Sequence, residues 1–285
     1  MEERGVSLRG VDIGACLQFL LSICPEPHSA EVLLDVHFRY RRRSRCCRVR
    51  CEPLLVARLA IGRTLTRDDV VIVAGDFGFI WSGSNTDKYW LDWFESKPWT
   101  TCFVDGNHEN HRLLAGLPMR EWNGGLVHKA RPHVLHLMRG EVFDIAGTTV
   151  LAMGGAASHD KQWRQEGKTW WPEEMPSERE MNHCRASLDR VGWKVDYVVT
   201  HEAPVDLADE LCMECNREFY DDSLQAFLGE LDGRLDYRTW FFGHYHDDEW
   251  RDDKHRLIYQ DIVPIEVQCT DKQGETASGY FEQKR

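Results

Sequence analysis

The sequence predicts an α/β fold, on three observations. Short apolar runs recur along the chain, each closed by Gly, Asp or Asn. Stretches with helical apolar spacing separate several of them. The residues able to do chemistry fall just past the ends of these runs, where open α/β sheets gather their ligands.

The elements follow in order. Leu54 to Leu65 has helical spacing, and Arg67-Asp68-Asp69 makes a polar turn. Val70 to Ala74 is a buried-type strand ending at Gly75-Asp76, and Thr101 to Val104 is another ending at Asp105-Gly106-Asn107. Val134 to Met138, Glu141 to Ile145 and Thr149 to Met153 read as consecutive strands, with Gly140 and Gly147 as turn signals. Tyr197 to Thr200 and Trp240 to Phe242 are two more strands; Glu178 to Val191 and Ser223 to Leu231 are helical. Residues 1–51 stand apart as an atypical N-terminal segment, and residues 52–285 form the main domain. A Trp-rich stretch around 160–193 reads as an insertion on that domain.

At 285 residues, 42% hydrophobic and 11% aromatic, the chain can fill one large core. Its net charge of −12 argues against a generic nucleic-acid binder. Arg39 to Arg50 is the local exception, with seven Arg and no acid. The apolar stretch Ile13 to Cys24 is too short to span a membrane, and the residues before it make a poor signal-peptide start. The ten Cys lack a disulfide-framework spacing, so we expect a cytoplasmic protein with reduced thiols. Cys212-Met213-Glu214-Cys215, a lone C-x-x-C, reads as two ordinary thiols ahead of structural zinc.

Four motifs carry chemistry. Gly243-His244-Tyr245-His246 places two His at i and i+2 just past a strand. Gly106-Asn107-His108-Glu109 offers a neutral oxygen donor with a His beside it, although Gly-Asn is also a common turn pair. Asp76 follows a strand, where Asp also caps helices. His201, in Thr200-His201-Glu202, ends another strand. Together Asp76, Asn107, His201, His244 and His246 form a carboxylate, amide and imidazole set suited to borderline divalent ions. Two such ions can clamp a phosphoryl group and activate water.

The order Gly-Asp, Gly-Asn-His-Glu, His, Gly-His-x-His resembles the calcineurin-like metallophosphoesterases over about Glu52 to Asp261. Gly75-Asp76-Phe77-Gly78, Ile80-Trp81, Gly154-Gly155-Ala156, Asp160-Lys161, Arg164 and Trp170-Trp171-Pro172 look like a bacterial and phage branch. The resemblance implies a four-layer αββα sandwich, two mixed β-sheets flanked by helices. It implies Asp76 bridging two metals, with Asn107, His201 and His244 on the second and His246 on the first. It places His108 at the leaving group as the catalytic side chain, with a bridging hydroxide attacking phosphorus. Glu109 reads as a supporting partner. Manganese is the expected metal, with iron, zinc or nickel as alternatives.

The family's first motif, Asp-x-His, has no clear counterpart at its expected place. Asp35-Val36-His37 is the only such triplet ahead of Glu52, and it lies farther from the next helix than this branch leads one to expect. The expected place is Arg42 to Arg45. Tyr40 to Arg45 can be encoded so that a one-base shift reads Ile-Gly-Asp-Val-His-Gly, and that favours residues 1–51 being partly out of frame. The alternative makes Asp35 and His37 the true ligands, followed by an Arg-rich insertion.

The expected function is hydrolysis of a phosphomonoester or phosphodiester, on a small phosphorylated substrate or a phosphoprotein, with duplex DNA disfavoured and no membrane partner. Lys161 and Arg164 are candidates for a phosphate contact. Trp163, Trp170 and Trp171 are candidates for stacking, with core packing as the preferred alternative. Two other classes compete: an impaired relative that keeps the fold and one metal and acts by binding, and a nuclease of the same superfamily.

Overall fold

The computed structural model describes residues 19–23, 65–214 and 223–265. The predicted helix over 54–65 lies outside these residues, Leu65 excepted, as do Asp35, His37, Arg41 to Arg45 and Cys215.

Thirteen strands are described. The first are β1 (Phe19–Ile23), β2 (Val70–Val73), β3 (Thr100–Phe103), β4 (Met119–Trp122), β5 (Gly125–Arg131) and β6 (Val134–Leu137). Then come β7 (Glu141–Ile145), β8 (Thr148–Met153), β9 (Tyr197–Thr200) and β10 (Thr239–Phe242). The short strands β11 (Glu249–Trp250), β12 (His255–Leu257) and β13 (Pro264–Ile265) close the series. The helices are α1 (Asn85–Glu95), α2 (His111–Ala115), α3 (Glu178–Arg190), α4 (Val205–Glu214) and α5 (Ser223–Asp232). Two 3-10 turns, Lys161–Trp163 and Pro172–Glu174, lie in the Trp-rich stretch.

The strands form two mixed sheets, ordered β13-β1-β2-β3-β6-β5-β4 and β11-β12-β10-β9-β8-β7. β2, β3 and β6 run parallel in the first, and β8, β9, β10 and β12 in the second. Side-chain alternation along a strand gives each sheet two faces to cover. Val150, Ala152, Val199 and Phe241 face one way and share a core with β2, β3 and β6. Their neighbours Leu151, Val198, Trp240 and Phe242 face the other way, into a second core with α3, α4 and α5. α1 packs against β3, β5 and β6. The result is two mixed sheets with helices outside, the expected αββα sandwich.

The strands foreseen from apolar runs appear within a residue of their expected ends. The hairpin β4–β5 was not foreseen. Its signal was Asn123-Gly124, whose positive φ values of 47° and 86° make the two-residue turn that joins paired Trp122 and Gly125. α1 was hidden by its mixture of aromatic and polar residues. It is fixed by Ser84, whose hydroxyl accepts from the Asp87 N–H, and by Asp87, which accepts from the N–H groups of Ser82 and Gly83 at 2.7 Å each. α3 starts on a capping box in which Ser177 and Glu180 exchange hydrogen bonds.

Gly140, at φ +78°, brings its backbone against α3, and a Cβ there would stand 2.8 Å from the Cys184 backbone. Gly192, at φ +67°, has open space around it. Gly140→Ala should therefore cost about 1–3 kcal/mol from overpacking in addition to the backbone penalty. Gly192→Ala should cost only the backbone penalty, about 1 kcal/mol. Urea denaturation of the two variants checks the difference; equal losses would contradict it.

Candidate metal centre

The parallel strands of both sheets end at one place. β2 delivers Asp76, β3 delivers Asn107 and His108, β9 delivers His201, and β10 delivers His244 and His246.

Asp76 is 1% exposed and sits at a positive φ of 51°. Its Oδ1 accepts from the His108 backbone N–H at 3.0 Å and stands 3.2 Å from His201 Nε2. Burial opposes its charge, but His201, then His108 and His244, outweigh burial and hold it well below the usual carboxylate range.

His201 is fully buried, and its Nδ1–H donates to the Ala74 carbonyl at 2.8 Å. That bond fixes the tautomer and turns Nε2 toward Asp76 and toward Asn107 Oδ1, at 3.4 Å. Asn107 is oriented in the same manner. Its amide N–H donates to Ser158 Oγ at 3.2 Å, and Ser158 Oγ–H donates to Glu174 at 2.6 Å. Asp76 Oδ1 and Asn107 Oδ1 thus both approach His201 Nε2. Such an approach needs positive charge. Burial disfavours a proton on His201, yet the Asp76 charge and hydrogen bond push its pKa up to about 9. The spacings of 3.2 and 3.4 Å also suit oxygen and nitrogen donors bonded to one cation at about 2.0–2.2 Å.

The approach is close enough to require glycine. A Cβ on Gly75 would fall 2.1 Å from His201 Nδ1, and one on Gly106 would fall 2.2 Å from Asp76 Oδ1.

The remaining predicted residues are placed less centrally. The His244 ring lies 5.1 Å from that of His201, and burial, then the His201 charge, keeps it neutral. His246 is exposed and stacks on Tyr259 at 4.8 Å. Both His244 and His246 have positive φ, 70° and 60°. Among the described residues, no set of three or more His, Cys, Asp and Glu forms a ready cage by itself. The convergent set depends on an amide, Asn107, as a member. Glu109 accepts from the N–H groups of Gly78 at 2.9 Å and Gly106 at 2.6 Å, bracing the two ligand loops. Both of its oxygens are taken by these bonds, and burial, then the Asp76 charge, raises its carboxyl to about 8.

Sequence reasoning missed the buried pair beneath the site. Arg139, at the end of β6, bonds Asp105 through Nε at 3.0 Å and Nη2 at 2.5 Å. Nη2 also donates to the carbonyls of Glu173 and Glu174, and His136 Nε2 lies 3.0 Å from Asp105 Oδ1. Burial opposes the Asp105 charge, but Arg139 and His136 hold the carboxyl well below its usual range. Asp105 beside Gly106-Asn107 and an Arg ending a strand were the available signals, and neither is specific alone. The proposed phosphate contacts are engaged elsewhere: Lys161 pairs with Glu174 at 3.0 Å and Arg164 with Asp160 at 2.6 Å. Trp171 is buried against Trp81, whereas Trp163 is 85% exposed.

Arg139→Met should destabilise the protein by about 3–5 kcal/mol, because Asp105 would be left as an uncompensated buried charge. The double variant Arg139→Met with Asp105→Leu should recover part of that loss. Thermal unfolding of the two measures it, and a double variant no better than the single would count against this reading.

No individual curated protein matches the chain. The calcineurin-like phosphoesterase family matches it over residues 35–248, about three quarters of its length. That span contains Asp76, Asn107, His108, His201, His244 and His246, and the chain belongs to the calcineurin-like phosphoesterase family.

Proposed function

We propose that the chain is a metal-dependent phosphoesterase that hydrolyses a small phosphomonoester or phosphodiester. The observation that carries this reading is the approach of Asp76 Oδ1 and Asn107 Oδ1 to His201 Nε2, at 3.2 and 3.4 Å, in a member of this family. Asp76, Asn107, His201 and His244 would hold one divalent cation, manganese in the first instance. Asp76 and His246 would contribute to a second. Bound there, such ions polarise a phosphoryl oxygen and lower the pKa of water.

The protein's own residues supply orientation and proton transfer. Ala74 and Ser158 aim the His201 and Asn107 donors, and Glu109 keeps the two glycine loops in register. His108 follows a ligand and is only half-buried, so its ring can reach the leaving oxygen and give it a proton. The net charge of −12 disfavours long polyanions, which points to a small phosphoester or phosphoprotein over duplex DNA. Trp163 could stack on an aryl group or base carried by the substrate.

His108→Ala should lower turnover of bis-p-nitrophenyl phosphate by about 10²–10⁴-fold. Metal content by mass spectrometry should stay unchanged. Loss of metal in this variant would make His108 a ligand instead.

A second reading, an impaired relative that holds one metal, is favoured by the strand beside β2. β1 runs antiparallel to β2, with Phe19 opposite Val73 at the site end. The five residues assigned to β1 include no Asp, Glu, His or Cys. The first motif would then come from one of two places. The family match begins at Asp35, which favours Asp35 and His37; the spacing and the Arg-rich run favour a frame change across Arg41 to Arg45. Metal titration decides. Under the frame-change reading the chain as written binds about one ion tightly, and restoring Gly-Asp-Val-His-Gly with its strand brings a second ion and higher turnover. Two ions in the unaltered chain, with one lost in Asp35→Ala or His37→Ala, would establish the triplet and exclude the frame change.

A further inference from the structure

His159 belongs to none of the motifs that carry the family resemblance, yet its ring stands at the site. Its Nε2 lies 3.2 Å from His244 Nε2, with the ring centroids 5.3 Å apart.

The segment that carries it is tied to the site on both sides. Ser158, buried, donates its N–H and hydroxyl to Glu174 and receives the amide of Asn107. Asp160 pairs with Arg164 at 2.6 Å. The side chain that orients Asn107 is thus the immediate neighbour of His159. The ring itself is exposed, so no packing demand explains an imidazole at this position.

Two imidazole nitrogens at 3.2 Å admit a hydrogen bond between the rings or a shared cation. Nitrogens bonded to one tetrahedral cation at about 2.0–2.1 Å stand about 3.3 Å apart, close to the observed spacing. Around His244 are also the His201 ring at 5.1 Å and the Glu202 carboxylate, whose Oε2 lies 3.8 Å from Nε2. The neighbourhood is rich in groups that favour a cation.

We infer that His159 is an additional ligand for the divalent cation assigned above to Asp76, Asn107, His201 and His244. The inference rests on that metal-dependent reading. It adds a third imidazole to the shell and shifts preference from manganese toward zinc, nickel or cobalt, which favour nitrogen donors.

The test titrates metal alone into the full chain, with no substrate present. Cobalt(II) is followed by its visible absorption and zinc(II) by calorimetry. His159→Ala should weaken both by about 10–100-fold, the range known for groups that tune a metal site, and should change the cobalt spectrum. Manganese affinity should fall less. His159→Phe, which keeps a ring at the position, should behave like His159→Ala. Unchanged cobalt spectra and affinities in both variants, with binding abolished in His201→Ala, would overturn the role of His159 and leave the metal reading standing. Unchanged binding in His201→Ala as well would overturn the metal reading and this inference with it.

Discussion

The buried Asp105–Arg139 pair is the constraint on which the rest of the site depends. Asp105 follows β3 and Arg139 follows β6, so the pair ties together two neighbouring strand ends of the first sheet. Asp105 also receives the Gly155 N–H on its backbone carbonyl at 2.8 Å, and a Cβ on Gly154 would press to 2.2 Å from its Oδ1. Arg139 reaches on to the carbonyls of Glu173 and Glu174. One ion pair therefore joins the first sheet, the end of β8 in the second, and the loop that carries Glu174. Glu174 orients Ser158, and Ser158 orients Asn107. A pair this deeply buried adds little net stability over an apolar substitute. Its contribution is to fix where Asn107 and His108 stand.

The two-faced strands explain how such a site can be both rigid and accessible. Each central strand of the second sheet buries one face between the sheets and the other under helices. The strands cannot slip by one residue without turning apolar side chains out of both cores. With the register set, the loops past the carboxyl ends can hold irregular, polar backbone close together.

The parts legible in the sequence were those written in local patterns. Apolar runs gave the central strands, and Gly-Asp, Gly-Asn-His and Gly-His-x-His gave the residues at their ends. Asp76, Asn107, His201 and His244 do come together, His108 lies beside them, and His246 lies at the rim. The parts not legible depend on partners far apart in sequence. Asp105 and Arg139 meet across 34 residues, and His159 and His244 across 85. No spacing rule reports such meetings. α1 was obscured because its aromatic residues serve both packing and surface. The β4–β5 hairpin could have been read from Asn123-Gly124. The charges of Lys161 and Arg164 were legible, but not the carboxylates that engage them.

Three site residues, Asp76, His244 and His246, share a backbone conformation that side chains other than glycine seldom adopt. Each costs on the order of 1 kcal/mol when nothing holds it. The folded chain carries that cost where its ligand donors crowd together, so the site is a reservoir of strain balanced against whatever occupies it. An occupant that binds only the folded form shifts the folding equilibrium by mass action. If the proposed cation is that occupant, the melting temperature of this protein would report on the cation's free concentration, and the population of folded chains would rise and fall with supply of that ion.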